Sequence, residues 1–375
     1  MRTVLYLPIS VLLSYNEYLV NELNDLGVVV YVDRPSNLLG DLMYIYEKFK
    51  GRIRGRFLPT YLMPEGLRNA YLKRLIKQRK FDVIHMNGLS LSIDALKEAK
   101  RLGIPVLYVL HTAPISEEIY RWLDEYVDLY VAPSNFTLAN EKGKFKRRAT
   151  VIHHGINTEE FKSYSKEEAR SKMKLPLHGK VILWNDRISP EKDLKTFLEA
   201  IPLILKECRD CYFYIKGRGV VKKYWHEVKP LVNGLKEKYR NNIKLHIGWV
   251  KQDVLPYIYS AADVFVRTSL YENFGLAFIE AMSCGVPVVA ANAATAPEVI
   301  GDAGLLYRPH DSLDLADKVV ALLNEEIREE LSRKSRERVK FFTAKRMAQQ
   351  YLQTYYYLLG ANKECMSCCV DYIVN

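Results

Sequence analysis

The sequence predicts an α/β protein built as two similar halves, each with a mostly parallel sheet, and three observations predict it. Short apolar runs recur along the whole chain, separated by amphipathic stretches with apolar residues three or four positions apart. Strands that alternate with helices in this way favour a parallel sheet covered on both faces. At 375 residues, with 49% hydrophobic side chains, the chain has the length and apolar content for two cores.

The candidate strands of the first half are Thr3 to Leu7, Val28 to Val32, Val83 to Met86, Val106 to Leu110 and Leu129 to Ala132, with helical stretches including Ser90 to Leu102 and Ile115 to Tyr126 between them. The run Val4 to Leu13 has the apolarity of a signal-peptide core. However, Tyr15-Asn16-Glu17 follows and no small-x-small cleavage pattern does, so it is expected to be the first strand and its loop. In the second half, strands are expected near Val181, Tyr212, Lys244, Val264, Val288 and Leu305. A helical region from about Ser312 to about Leu359 closes the chain, with Tyr351, Tyr355, Tyr356 and Tyr357 available to cover apolar surface. No apolar span approaches the roughly 18 to 20 residues of a membrane helix, so a soluble or peripheral protein is expected.

The chemistry concentrates in Tyr271 to Met282, where Glu272 and Glu280 stand on a loop that opens into a short apolar helix. Ala262-Asp263-Val264-Phe265-Val266 before it reads as a buried strand, and Cys284-Gly285 with Pro287 stops the helix. A helix N-terminus offers unpaired backbone NH groups and positive dipole to a phosphate, and Gly275 lets a ligand approach the backbone. Carboxylates are poor phosphate ligands but good acceptors from hydroxyls, so acid on both flanks of an anion seat suggests a nucleotide sugar. The apolar neighbours of Glu280 leave it little polar face, which makes a ligand hydroxyl the expected partner of its buried carboxylate.

This segment resembles the E-x7-E signature of retaining glycosyltransferases of family 4, which have the GT-B fold of two Rossmann-like domains with a cleft between them. Val181 to Lys192, containing Arg187 and Lys192, resembles the family's strand followed by G-R-x-x-x-x-K, and Asp263 and Glu298 to Pro309 also fit. The resemblance covers about Val151 to about Pro309. It implies that Glu272 contacts the donor sugar, Glu280 holds the ribose hydroxyls, Arg187 and Lys192 grip the diphosphate, and the backbone of Phe274, Gly275 and Leu276 lines the same site. His111 resembles the family histidine that faces the donor sugar and is the second candidate catalytic residue beside Glu272, whereas His85 and His153 are expected to be structural. Val151 to Asn157 resembles the interdomain element. The expected division is therefore 1–160, the acceptor side, and 161–342, the nucleotide-sugar side, with the helix 343–360 packed back on the first domain and a cysteine-containing tail at 361–375.

Departures from the family pattern are also visible. Lys216-Gly217-Arg218-Gly219 stands where the family has a glycine-rich loop with an acidic residue; it is either a plain turn or a donor loop through Gly217 and Gly219, with a further phosphate contact from its cations. Trp184-Asn185-Asp186 replaces the usual glycine before Arg187, and Pro8-Ile9-Ser10-Val11 replaces the glycine-rich first loop. The chain has no Asp-x-Asp pair, which fits a metal-independent reaction in which fixed cations and dipoles neutralise the leaving diphosphate. The expected activity is transfer of a sugar from a nucleoside-diphosphate donor to an acceptor hydroxyl with retention and no cofactor. A nucleotide-sugar epimerase or phosphorylase, or a non-catalytic nucleotide-sugar-binding protein of the same fold, is the alternative.

The formal charge of +11 favours anionic partners. From Lys48 to Lys80 there are eleven basic residues and one acidic, with helical apolar spacing from Leu67 to Lys77. Such a helix suits an anionic membrane surface and a lipid-linked acceptor, a solvated basic face being the plainer reading and nucleic acid a weaker third. The expected location is cytoplasmic, with peripheral attachment at the inner membrane face. Cys208 and Cys211, and Cys365 and Cys368, have the spacing of zinc or redox pairs, but reduced thiols and no metal are expected.

Overall fold

The structure, a computed structural model, describes residues 3–7, 14–32, 56–57, 65–79, 81–87, 93–111 and 115–360. The loop Pro8 to Val11, much of the basic stretch 48–80 and the tail cysteines Cys365, Cys368 and Cys369 therefore lie outside the described residues. The chain divides into two compact units, one of residues 1–156 with 343–375 and one of 157–342.

The first unit carries a seven-stranded sheet in the order β3-β2-β1-β4-β5-β6-β7. Its strands are β1 (Thr3–Leu7), β2 (Val29–Val32), β3 (Arg56–Phe57), β4 (Val83–Asn87), β5 (Val106–Val109), β6 (Leu129–Ala132) and β7 (Arg148–Val151). Every pairing is parallel. The helices between them are α1 (Ser14–Asp25), α2 (Glu65–Arg79), α3 (Ile93–Arg101), α4 (Glu117–Leu123) and α5 (Asn135–Glu141). β4, β5 and β6 are buried along their whole length, as apolar runs covered on both faces must be.

The second unit repeats the plan with six parallel strands in the order β10-β9-β8-β11-β12-β13. They are β8 (Lys180–Ile188), β9 (Cys211–Val220), β10 (Ile243–Ile247), β11 (Val264–Arg267), β12 (Val288–Ala291) and β13 (Gly304–Tyr307). Its helices are α6 (Lys166–Met173), α7 (Leu194–Glu207), α8 (Lys222–Lys238), α9 (Leu255–Ser260), α10 (Leu276–Ser283), α11 (Ala296–Ile300), α12 (Ser312–Leu323) and α13 (Glu325–Val339). The strand order reverses direction at β8 and β11, which makes the carboxyl ends of these two neighbours the expected ligand position.

The last helix, α14 (Ala344–Leu358), belongs to the first unit and lies against α1. The two passages of the chain out of that unit run side by side, with Ala344 N donating to Ile156 O at 2.9 Å. Tyr351 and Tyr355 enter the core, where the Tyr355 hydroxyl stands 2.6 Å from Nδ1 of the buried His85. That contact gives His85 a packing role.

One expectation about local structure is corrected. Lys216 to Gly219 is not a turn: β9 runs on through it and pairs with the end of β8, with a register shift between Asp186 and Ile188. Ile188 lies so close to Gly217 that an added Cβ would come within 2.9 Å of its Cδ1, so the glycine serves strand packing. In α2, Leu72, Leu75 and Ile76 are buried in the first unit's core, leaving Leu67, Lys73, Arg74 and Lys77 exposed. Three of the helix's apolar side chains are thus already covered by its own unit.

Candidate active site

Parallel pairing of β8 with β11 sets their carboxyl ends side by side, and the segments leaving them are stitched together. Thr268 Oγ1 donates to Lys192 O at 2.7 Å, and Leu270 N to Glu191 O at 2.9 Å. Trp184 Nε1, deep in the core, donates to Thr268 Oγ1 at 2.9 Å. The turn carrying Arg187 and Lys192 is thereby fixed against the loop carrying Glu272, although about eighty residues separate them in sequence.

A cavity of about 320 Å³ opens at this junction, lined by Asp186, Arg187, Lys192, Arg218, Arg267 and Glu272, with Trp249, Val250 and Leu255 as its apolar part. Arg187 is exposed and ion-paired with Glu191, which Ser189 Oγ also contacts at 2.7 Å. Lys192 is largely buried, bonds the Glu272 carboxylate and donates to Tyr271 O at 3.2 Å. Arg267, at the end of β11, bonds the same Oε1 of Glu272 and stands 2.9 Å from Asp186 Oδ2. Burial opposes the Glu272 charge, but Arg267 and Lys192 outweigh it and hold the carboxyl below its ordinary value. Burial likewise opposes the charge of Asp186, yet Arg267, Lys192 and Arg218 bring its carboxyl down to about 2. Both are therefore ionised near neutrality.

Glu280 sits on α10 and is not among the residues that line this cavity. Its Oε2 accepts from the Tyr259 hydroxyl at 2.7 Å, and that hydroxyl accepts from Asn185 Nδ2 at 3.2 Å. A ligand hydroxyl is the expected partner of this buried carboxylate; within the protein, Tyr259 already bonds one of its oxygens. Burial still pushes the Glu280 carboxyl up, against the pull of Tyr259, Arg218 and Arg267. Gly275 caps α10 at φ 83°, a left-handed conformation that glycine adopts without strain. Phe274 is packed edge-on against Phe342 and its carbonyl accepts from Thr295 Oγ1 at 3.0 Å, so Phe274, Gly275 and Leu276 build the start of α10.

Of the cations proposed around Gly217 and Gly219, Arg218 reaches the cavity and lies 3.3 Å from Asp186 Oδ1. Lys216 does not line it. It is fully buried with its Nζ on the carbonyls of Gly217 and Gly248, and burial lowers its ammonium to about 8. His111, in the first unit, stands 2.9 Å from Asn87 Oδ1 and stacks on His154, and burial lowers its ring to about 3. It is a neutral imidazole.

The sequence did not single out Arg267, Tyr259 or the ion-pairing role of Asp186. The only signal was an arginine closing an otherwise apolar strand run, which also describes an ordinary strand terminus. Among the described residues no group of three or more His, Cys, Asp or Glu is disposed to hold a metal ion, and Cys208, Cys211 and Cys284 are free thiols.

Comparison with known proteins now identifies the class. The model described as Glycosyl transferases group 1 matches residues 165–340 and the one described as Glycosyltransferase Family 4 matches residues 14–160. The chain belongs to these glycosyltransferases. O-antigen chain mannosyltransferase B of Escherichia coli is 40% identical over 131 residues, which are 34% of this chain and 33% of that protein. Alpha-monoglucosyldiacylglycerol synthase of Streptococcus pneumoniae is 28% identical over 269 residues, 63% of this chain and 58% of the relative. The chain thus spans less than two thirds of either relative. A glycosyltransferase from Rickettsia africae, 20% identical, superimposes with a TM-score of 0.80 over 96% of this chain and 99% of that one, which gives the fold as GT-B with two Rossmann-like domains.

Proposed function

We propose that the protein transfers a hexose from a nucleoside-diphosphate sugar to an acceptor hydroxyl, with retention and without a metal ion. The observation that carries this reading is the cavity at the β8/β11 junction, where four cations, Arg187, Lys192, Arg218 and Arg267, line the same space as two carboxylates, Asp186 and Glu272. When the bond from the anomeric carbon to the diphosphate breaks, negative charge develops on the β-phosphate, and preorganised cations stabilise it. Arg187 and Lys192 take the diphosphate, Glu272 accepts from the sugar hydroxyls, and Glu280 receives the ribose hydroxyls on the oxygen that Tyr259 leaves open. His111 contributes to the sugar step as a neutral imidazole. In this arrangement the first unit is the acceptor side and the second the donor side.

The acceptor in this reading is lipid-linked. The name of the S. pneumoniae relative points to a lipid product, and the exposed Lys73, Arg74 and Lys77 of α2 give the first unit a basic surface for anionic lipid. Among the described residues no helix is long and apolar enough to cross a membrane, so attachment at the cytoplasmic face would be electrostatic.

The test is a melting-temperature screen of UDP-, GDP- and ADP-hexoses followed by a transfer and donor-hydrolysis assay. At least one donor should raise the melting point, since a ligand bound only by the folded state stabilises it, and Glu272→Ala should lower turnover by about a hundredfold while leaving a measurable rate. Stabilisation by no donor would overturn the reading.

A further inference from the structure

Lys192 and Arg267 both hold Oε1 of Glu272, yet the two cations are fixed very differently. Besides Glu272, the Lys192 ammonium has Tyr271 O at 3.2 Å and Asp186 only at 3.9 Å, on a flexible four-carbon stem. The Arg267 guanidinium is buried and held on several sides. Its Nη2 meets Asp186 Oδ2 at 2.9 Å, its Nη1 donates to Asn185 O at 3.3 Å, and its Cζ lies 5.4 Å from the Phe278 ring centroid. Asp186 is in turn fixed by Arg187 N at 2.7 Å and Ser269 Oγ at 3.0 Å. A planar, always-charged fork with this many partners cannot leave without stranding buried charges.

A diphosphate entering the cavity competes with Glu272 for the mobile cation, and Glu272 would then stand beside new negative charge. We propose that Arg267, with Asp186 as its fixed counter-ion, is a positioning residue that keeps the Glu272 carboxylate turned toward the donor sugar while Lys192 leaves it for the diphosphate. This rests on the donor-transfer reading above. It gives a function to the aspartate that replaces the family glycine before Arg187: it anchors the guanidinium.

The test is a double-mutant cycle on the full chain, using hydrolysis of whichever UDP-, GDP- or ADP-hexose the wild type turns over. Arg267→Gln should lower kcat by about tenfold to a hundredfold with KM changed less than about threefold, as expected for an interaction that matters in the transition state. The acid limb of its kcat profile should move to higher pH, because Glu272 loses a cation, and Arg267→Lys should recover part of the loss. In a Glu272→Gln background the same substitution should cost less than about twofold, the signature of a residue acting through another. Multiplicative losses, or an unchanged kcat and pH profile, would overturn the proposal. If Arg267→Gln does not fold, Asp186→Asn leaves the arginine in place but loosens it; its loss should also disappear in the Glu272→Gln background, and independence of the two would overturn the proposal equally. Wild-type turnover with independent losses defeats this inference alone, whereas a wild type that neither binds nor turns over any of the donors defeats the transfer reading and this inference with it.

Discussion

The two units share one plan and differ in what they put at their strand ends. In the first, β4 ends on Asn87 and the segments after β5 and β7 carry His111 and His154, with His85 inside β4; burial keeps the rings of His85 and His111 near a pKa of about 3 and that of His154 well below its ordinary value. In the second, β8, β9 and β11 end on Asp186, Arg218 and Arg267, a charged network open to a cavity. Polar groups at the ends of a buried sheet must be neutral or mutually paired. The first unit took the neutral solution and the second the paired one, and only the paired one leaves cations that a phosphate can recruit.

The largest effect that would break this comparison is at Lys192. Lys192→Met should lower donor turnover by about a hundredfold to a thousandfold, the range for losing one preorganised donor at a developing oxyanion. Steady-state hydrolysis of the donor chosen by the melting screen checks it, and a loss under threefold would mean that the charged strand ends are structural in both units. Next is Glu280→Gln, which keeps an acceptor for Tyr259 but removes the charge. It should raise the donor KM by about tenfold, with kcat nearly unchanged, the scale of one hydrogen bond to a charged group. His111→Ala, at the neutral strand end, should cost about tenfold in kcat and little in donor binding; an effect as large as that of Lys192→Met would erase the distinction between the units.

Acid should separate the units in stability. A histidine whose folded pKa is depressed stabilises the fold fully above its unfolded value of about 6.5, and this contribution is lost as pH falls toward the folded value. The first unit, with His85, His111 and His154, should therefore weaken from about pH 6.5 downward. Asp186, depressed to about 2, keeps its contribution until pH falls below about 4. Hydrogen exchange at pH 7, 5.5 and 4.5 should show the first unit opening before the second, and simultaneous opening would contradict the assignment. The smallest effect is Tyr355→Phe, which removes the hydroxyl facing His85 Nδ1 and should cost about 1 kcal/mol in denaturant unfolding.

Strand positions were legible because fully buried parallel strands must read as apolar runs; β6 and β12 do throughout and β11 does up to Arg267. Arg187, Lys192 and Glu272, which the structure brings together around one cavity, could be picked out because their spacing survives in the linear chain. What was not legible depends on neighbours distant in sequence. Arg267 and Asp186 are eighty-one positions apart and become a pair only when β8 and β11 lie adjacent. Tyr259 satisfies Glu280 from a different helix. β7 was missed because the basic run Lys144 to Arg148 hides a strand of which only Ala149 and Thr150 are buried, and the glycines at 217 and 219 suggested a turn where Ile188 needed room.

The central claim is that the second unit's strand-end cations hold a nucleoside diphosphate. Titration calorimetry of the wild type and Lys192→Met with UDP, GDP and ADP tests it most directly. The account predicts that one of them binds the wild type and binds the variant at least tenfold more weakly, roughly the 1.4 kcal/mol or more of one charge-assisted contact. Equal affinity for both proteins, or no binding of any of the three to the wild type, would contradict it.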